Sequence, residues 1–283
     1  MVRWALAAVA AVAMVGGAQA QSQSPVQRGG YLVNGILTCG NCHTPKDAGG
    51  AELTDQMHSG GVIEWDTPAF KVKGPNITPD RDAGIGAWTD AQIKTALQNG
   101  KHPDGHPLAP IMPFAFYKVF TPGDLDAVVA YLKSVPPKNN RTQPPVYKAA
   151  IHVDEVPNAG RAMSDADLRD PVKRGFYLVT IGHCMECHTP MERGVRLLDT
   201  SYGKGGFRFT GPFGESFSRN ITSHREKGIG AWTDDEIKRA ITQGVRKDGT
   251  RLKPPMGYSW YARMNDADLS AIVAYLRTVP PKE

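Results

Sequence analysis

Apolar residues along this chain recur at helical spacing, in short blocks with sharp polar edges. Ile93, Ala96 and Leu97 follow Thr89-Asp90-Ala91-Gln92, and Ile237, Ala240 and Ile241 follow Thr233-Asp234-Asp235-Glu236. A threonine three residues ahead of Gln or Glu is a capping box, so a helix is predicted to start at each. Leu125, Val128, Val129 and Leu132 mark the apolar face of a helix opening at Thr121-Pro122. Leu269, Ile272, Val273 and Leu276 mark another opening near Asn265, and both stop at a Pro-Pro pair. Ser24-Pro25-Val26-Gln27 and Asp170-Pro171 open two further helices, each with proline at its first position. No segment reads as part of a substantial sheet, and the expected fold class is all-α.

The helices come in pairs because the chain repeats itself at a nearly constant offset. Arg28 to Val33 (R-G-G-Y-L-V) returns as R-G-F-Y-L-V from Arg174, and Asn76-Ile77-Thr78 as Asn220-Ile221-Thr222. The heptapeptide Gly84 to Asp90 (G-I-G-A-W-T-D) returns from Gly228, and A-Y-L-K-S-V-P-P-K from Ala130 returns as A-Y-L-R-T-V-P-P-K from Ala274. Two tandem domains are expected, over residues 21–137 and 164–283. Residues 138–163, with Pro144-Pro145 and no clear period, read as the linker.

All four cysteines fall in two pentapeptides, C-G-N-C-H from Cys39 to His43 and C-M-E-C-H from Cys184 to His188. A redox pair has no use for a histidine directly after each second cysteine, and a zinc site needs its pairs close together. C-x-x-C-H is the attachment sequence of haem c: the thiols Cys39, Cys42, Cys184 and Cys187 bond the porphyrin's vinyl groups, and His43 and His188 lie under the irons. Two covalent haems are expected, each the centre around which one domain wraps.

Methionine is the expected partner on the far side of each iron. Of nine methionines, only Met112 and Met256 occupy equivalent places in the two copies, each beside proline and followed by aromatics (Phe114, Phe116, Tyr117 and Tyr258, Trp260, Tyr261). They are the candidate sixth ligands, which makes each site low-spin and closed to small ligands. Met57, Met185, Met191 and Met264 have no counterpart and read as filler. Trp88 and Trp232 are candidates to donate an indole N–H to a haem propionate or to pack on the haem edge. His58, His102, His106, His152, His183 and His224 are unrepeated and read as surface or loop residues.

Composition changes the picture only at the margins. Arg3, the apolar run from Trp4 to Val15 and Ala18-Gln19-Ala20 form a secretory signal at 1–20, cleaved after Ala20. The run is short for a membrane span, no later segment approaches one, and no membrane attachment is expected. Thioether attachment takes place outside the cytoplasm, so the expected compartment is the periplasm. The net charge of +5 is offset by haem propionates and comes without aromatic-interleaved basic runs, so nucleic acid is not an expected partner.

Both halves resemble the cytochrome c domains in the cytochrome subunits of periplasmic alcohol, gluconate and related dehydrogenases. The resemblance is carried by C-x-x-C-H-T-P, the pairs Gly60-Gly61 and Gly205-Gly206, N-I-T, G-I-G-A-W-T-D, the proline-flanked methionine and the closing A-Y-L. Those subunits generally have three haem domains and a membrane-binding segment, so quinol chemistry is not carried over to this two-domain chain. Gly74-Pro75-Asn76-Ile77 also resembles the G-P-N-L segment of mitochondrial cytochrome c. That likeness implies that the Pro75 carbonyl accepts the His43 ring N–H, although the second copy has Arg219 there. The resemblance implies two class I cytochrome c domains carrying single electrons from a periplasmic dehydrogenase to a respiratory cytochrome or oxidase. The alternative is a dihaem enzyme such as a peroxidase, which needs an open iron, or a thiosulfate dehydrogenase, which of the known kind needs a cysteine that this chain does not have to spare. Intact mass is expected to exceed the polypeptide by two haems, with no thiol left to alkylate; haem that extracts into acidified organic solvent would exclude thioether attachment.

Overall fold

The computed structural model describes residues 23–211 and 214–283, so the expected signal at 1–20 lies outside the described residues. The first half contains α1 (Pro25–Val33), α2 (Cys39–His43), β1 (Glu64–Asp66), β2 (Phe70–Lys73), α3 (Asp90–Asn99), α4 (Pro122–Ser134) and β3 (Val146–Tyr147). The second contains α5 (Pro171–Ile181), α6 (Cys184–Cys187), β4 (Met191–Glu192), β5 (Val195–Arg196), β6 (Arg208–Gly211), β7 (Gly214–Phe217), α7 (Asp234–Gln243), α8 (Tyr258–Tyr261) and α9 (Asp266–Leu276). The capping boxes form at Ser24/Gln27, Thr89/Gln92 and Thr233/Glu236.

Helices build the framework, but the all-α expectation is too strict. Three small antiparallel sheets are present, in the orders β1-β2-β3, β4-β5 and β6-β7. Their strands are two to four residues long and mostly solvent-facing, so they carry no apolar alternation to read. Between β4 and β5, Arg193 (φ 50°) and Gly194 (φ 82°) are both left-handed, the backbone of a tight hairpin turn. Val146 and Tyr147, inside the expected linker, pair with β2.

Within each half the first helix crosses the last. An added Cβ on Gly29 would lie 1.9 Å from the Ala127 carbonyl oxygen, and one on Gly175 would lie 1.9 Å from that of Ala271. Only glycine permits those crossings. Beside them Arg28 Nε meets Asp124 Oδ1 at 2.7 Å and Arg174 Nε meets Asp268 Oδ1 at 2.6 Å.

The same two aspartates join the halves. Tyr31 of the first half donates to Asp268 at 2.6 Å, and Tyr177, its repeat counterpart, donates to Asp124 at 2.7 Å. Both carboxylates are buried. Around this crossed pair one apolar cluster runs through both halves, with Phe120 edge-on to Tyr177 at 6.4 Å. At the rim Trp260 Nε1 donates to Glu52 at 3.0 Å. Tyr31→Phe and Tyr177→Phe are each expected to cost about 1–2 kcal/mol in denaturant unfolding of the holoprotein; unchanged midpoints in both would show that the crossed bonds do not hold the halves together.

Candidate functional site

Each cysteine pentapeptide begins after a residue forced into the left-handed region, Thr38 at φ 47° and His183 at φ 41°. Such strain in a bulky residue collects at functional sites. A separate short turn starts directly after the strained residue. Within that turn the two cysteines are three residues apart and share a face.

The imidazoles are oriented identically in the two copies. His43 Nδ1 lies 2.7 Å from the Pro75 carbonyl oxygen, and His188 Nδ1 lies 2.6 Å from the Arg219 carbonyl oxygen. The contact uses backbone, so Pro75 and Arg219 are interchangeable in it. Donation from Nδ1–H leaves Nε2 with a free lone pair. Desolvation lowers the pKa of both rings, partly offset by the carbonyl bond, so both are neutral, the form that ligates iron.

Glycines bring the acceptor segments this close. An added Cβ on Gly61 or Gly74 would fall 1.8 or 2.1 Å from the Cys42 carbonyl oxygen, and one on Gly205 (φ 78°) would fall 2.5 Å from the Arg219 carbonyl carbon. The repeated N-I-T clips the chain that follows the closing helix. Asn76 Nδ2 donates to the Lys138 carbonyl at 2.6 Å, and Asn220 Nδ2 to that of Lys282 at 2.7 Å. In G-I-G-A-W-T-D, Gly84 and Gly228 are packed so tightly that a Cβ would meet the Thr78 or Thr222 carbonyl oxygen at 2.2 or 2.3 Å.

All four cysteines are free of disulfides. Burial pushes the thiols of Cys39, Cys42 and Cys184 up to about 12, and that of Cys187 higher still. Neutral sulfurs in apolar surroundings fit thioether bonds, which place no charge there. Met112 and Met256 are half-buried and pack on the apolar core, as do Trp88 and Trp232. Paired thiols and an oriented neutral imidazole in each half fit the attachment and ligation of haem c.

Two residues contribute in ways their sequence positions do not announce. Glu186, inside the second pentapeptide, is buried with its carboxylate 2.9 Å from His183 Nδ1. Desolvation raises the thiols of Cys42 and Cys187 and the phenols of Tyr117 and Tyr261, and the Glu186 carboxylate adds a smaller push in the same direction to each. One carboxylate therefore acts on both halves. His58, read from sequence as a surface or loop residue, is instead fully buried. Desolvation lowers its pKa to about 4, with a smaller push from His43. Its backbone is left-handed (φ 65°), as is that of Gly203 (φ 76°); the two amides donate to equivalent hydroxyls, Thr44 and Thr189.

Both halves, residues 27–136 and 172–280, match the family model of cytochrome c. The chain belongs to the cytochrome c family. Among its relatives is the cytochrome subunit of fructose dehydrogenase from Gluconobacter japonicus, 31% identical over 91% of this chain and 53% of that protein. The gluconate 2-dehydrogenase cytochrome c subunit of Pantoea cypripedii is 28% identical over 91% of the chain and 60% of its own length. The chain thus spans little more than half of these dehydrogenase subunits. A diheme cytochrome c-type protein of Cereibacter sphaeroides is 30% identical over 87% of the chain and 83% of its own length.

In these cytochrome c domains the proximal bond depends on where the backbone lies, which separates two substitutions. Arg219→Ala is expected to leave the ferric low-spin spectrum of the second haem unchanged. Gly205→Ala, whose methyl group collides with the Arg219 carbonyl, is expected to shift it. Equal responses would mean that the side chain of Arg219, and not its carbonyl, sets the His188 ring.

Proposed function

We propose that the chain is a periplasmic dihaem electron carrier, the partner of a periplasmic dehydrogenase as donor and of a respiratory cytochrome or oxidase as acceptor. The observation that carries this reading is the duplicated donor set: Cys39, Cys42, His43 and Met112 in one half, Cys184, Cys187, His188 and Met256 in the other. Bound haem supplies one-electron iron redox chemistry at each site. Cys39 and Cys42, and Cys184 and Cys187, would anchor it covalently; His43 and His188, held by the Pro75 and Arg219 carbonyls, would ligate the iron; and Met112 and Met256 would supply thioethers that favour the reduced state.

The relatives support a dehydrogenase as the donor class, since those named above include the cytochrome subunits of fructose and gluconate dehydrogenases. Among the described residues no helix is long and apolar enough to cross a membrane. Trp88 and Trp232 occupy matched positions on the core in the two halves and are assigned to the haem edges.

Carbon monoxide distinguishes a carrier from an enzyme. The ferrous protein is expected to bind it poorly, and Met112→Ala or Met256→Ala to bind about one equivalent each, at the altered haem alone. Full binding at one haem of the unaltered protein would instead indicate an open iron and a dihaem enzyme.

A further inference from the structure

The loop between α3 and Met112 gathers ligating atoms outside both C-x-x-C-H motifs. His102 Nδ1 lies 2.9 Å and His106 Nδ1 2.5 Å from the same oxygen, Asp104 Oδ1. The ligating atoms of the three residues all lie within 4.8 Å of one another. The two rings stack at 4.2 Å, and Trp88 braces His102 edge-on at 4.8 Å.

The second domain supplies an internal control, because the same loop there reads Arg246, Asp248 and Thr250. Its backbone is built alike: His102 N donates to the His106 carbonyl at 2.9 Å, and Arg246 N to the Thr250 carbonyl at 2.9 Å. The aspartate supports the turn in both, accepting from His106 N at 3.1 Å and from Thr250 N at 3.0 Å. Turn formation therefore accounts for the aspartate and leaves the histidines unexplained. What the first domain adds is two imidazoles converging on one carboxylate oxygen.

Protons alone serve this convergence badly. Both ring nitrogens lie within hydrogen-bond distance of Asp104 Oδ1, at 2.9 and 2.5 Å, so as N–H donors both are aimed at the same oxygen. Asp104 Oδ1 already accepts a backbone N–H, and an oxygen has about two lone-pair sites to offer. A cation between the rings and the carboxylate replaces that crowding on one oxygen with three bonds. Ligand atoms around a zinc-sized ion stand about 3.3 Å apart, so each imidazole nitrogen needs to draw back from the Asp104 oxygen by less than about 1 Å. Two imidazoles and a carboxylate suit a borderline divalent ion, and solvent at this half-exposed loop completes its coordination.

We propose that His102, Asp104 and His106 bind one divalent transition-metal ion of the zinc class on the first domain. Calorimetric titration of chelator-treated holoprotein with Zn²⁺ is expected to show one saturable equivalent. The variant His102→Arg/His106→Thr, which installs residues the second domain already folds with, is expected to bind at least about a hundredfold more weakly. The reverse exchange, Arg246→His/Thr250→His, is expected to create a second equivalent. The proposal is overturned if the unaltered protein shows no one-equivalent step, if the step survives loss of both histidines, or if the transplanted loop stays silent while its haem spectrum is intact.

Discussion

Asp124 and Asp268 each accept an arginine from their own half and a tyrosine from the other, and the arrangement of the whole molecule follows from that double use. A carboxylate buried without partners costs several kcal/mol, so each aspartate needs both of its donors. The arginine ties the first helix of a half to its last, at the crossing that Gly29 or Gly175 makes possible. The tyrosine then prevents the halves from sliding apart. Since every participant has a repeat counterpart, the halves meet around an approximate two-fold axis, with one apolar cluster continuous through the junction.

The cysteine motifs consequently do not behave as independent sites. Gly40, in the first pentapeptide, faces Trp260 of the second half so closely that a Cβ would fall 2.3 Å from the indole. Its counterpart in the second pentapeptide is Met185, which is buried. Glu186 reaches thiols of both motifs with its field. The repeat is symmetric in its C-x-x-C-H motifs and in the carbonyl bonds of their histidines, and asymmetric in its surroundings.

That asymmetry extends to the loops ahead of the methionines. Where the second half keeps Arg246 paired with Asp248, the first turns two histidines on Asp104. A turn that needs only its aspartate left those positions free to diverge.

Much of this was legible in the sequence because it rests on local chemistry. Covalent attachment demands two thiols and a histidine within five residues, capping boxes are complete within four, and duplication made the matched pairs visible without coordinates. The small sheets were not legible, because short exposed strands such as Val195–Arg196 have no periodicity. His58 was misread because an unrepeated histidine carries no mark of burial; only the packing around it shows that both ring nitrogens are enclosed. The aspartates left a signal that went unused, charged residues recurring inside otherwise apolar helical faces. The sequence by itself determined the paired C-x-x-C-H motifs, the helices and the number of domains, since these follow from spacings along the chain. Only the tertiary structure decided that Tyr31 and Tyr177 exchange partners across the repeat, that Glu186 serves both motifs and that His102 and His106 converge on one oxygen, because hydrogen bonds and electrostatic fields depend on distance through space.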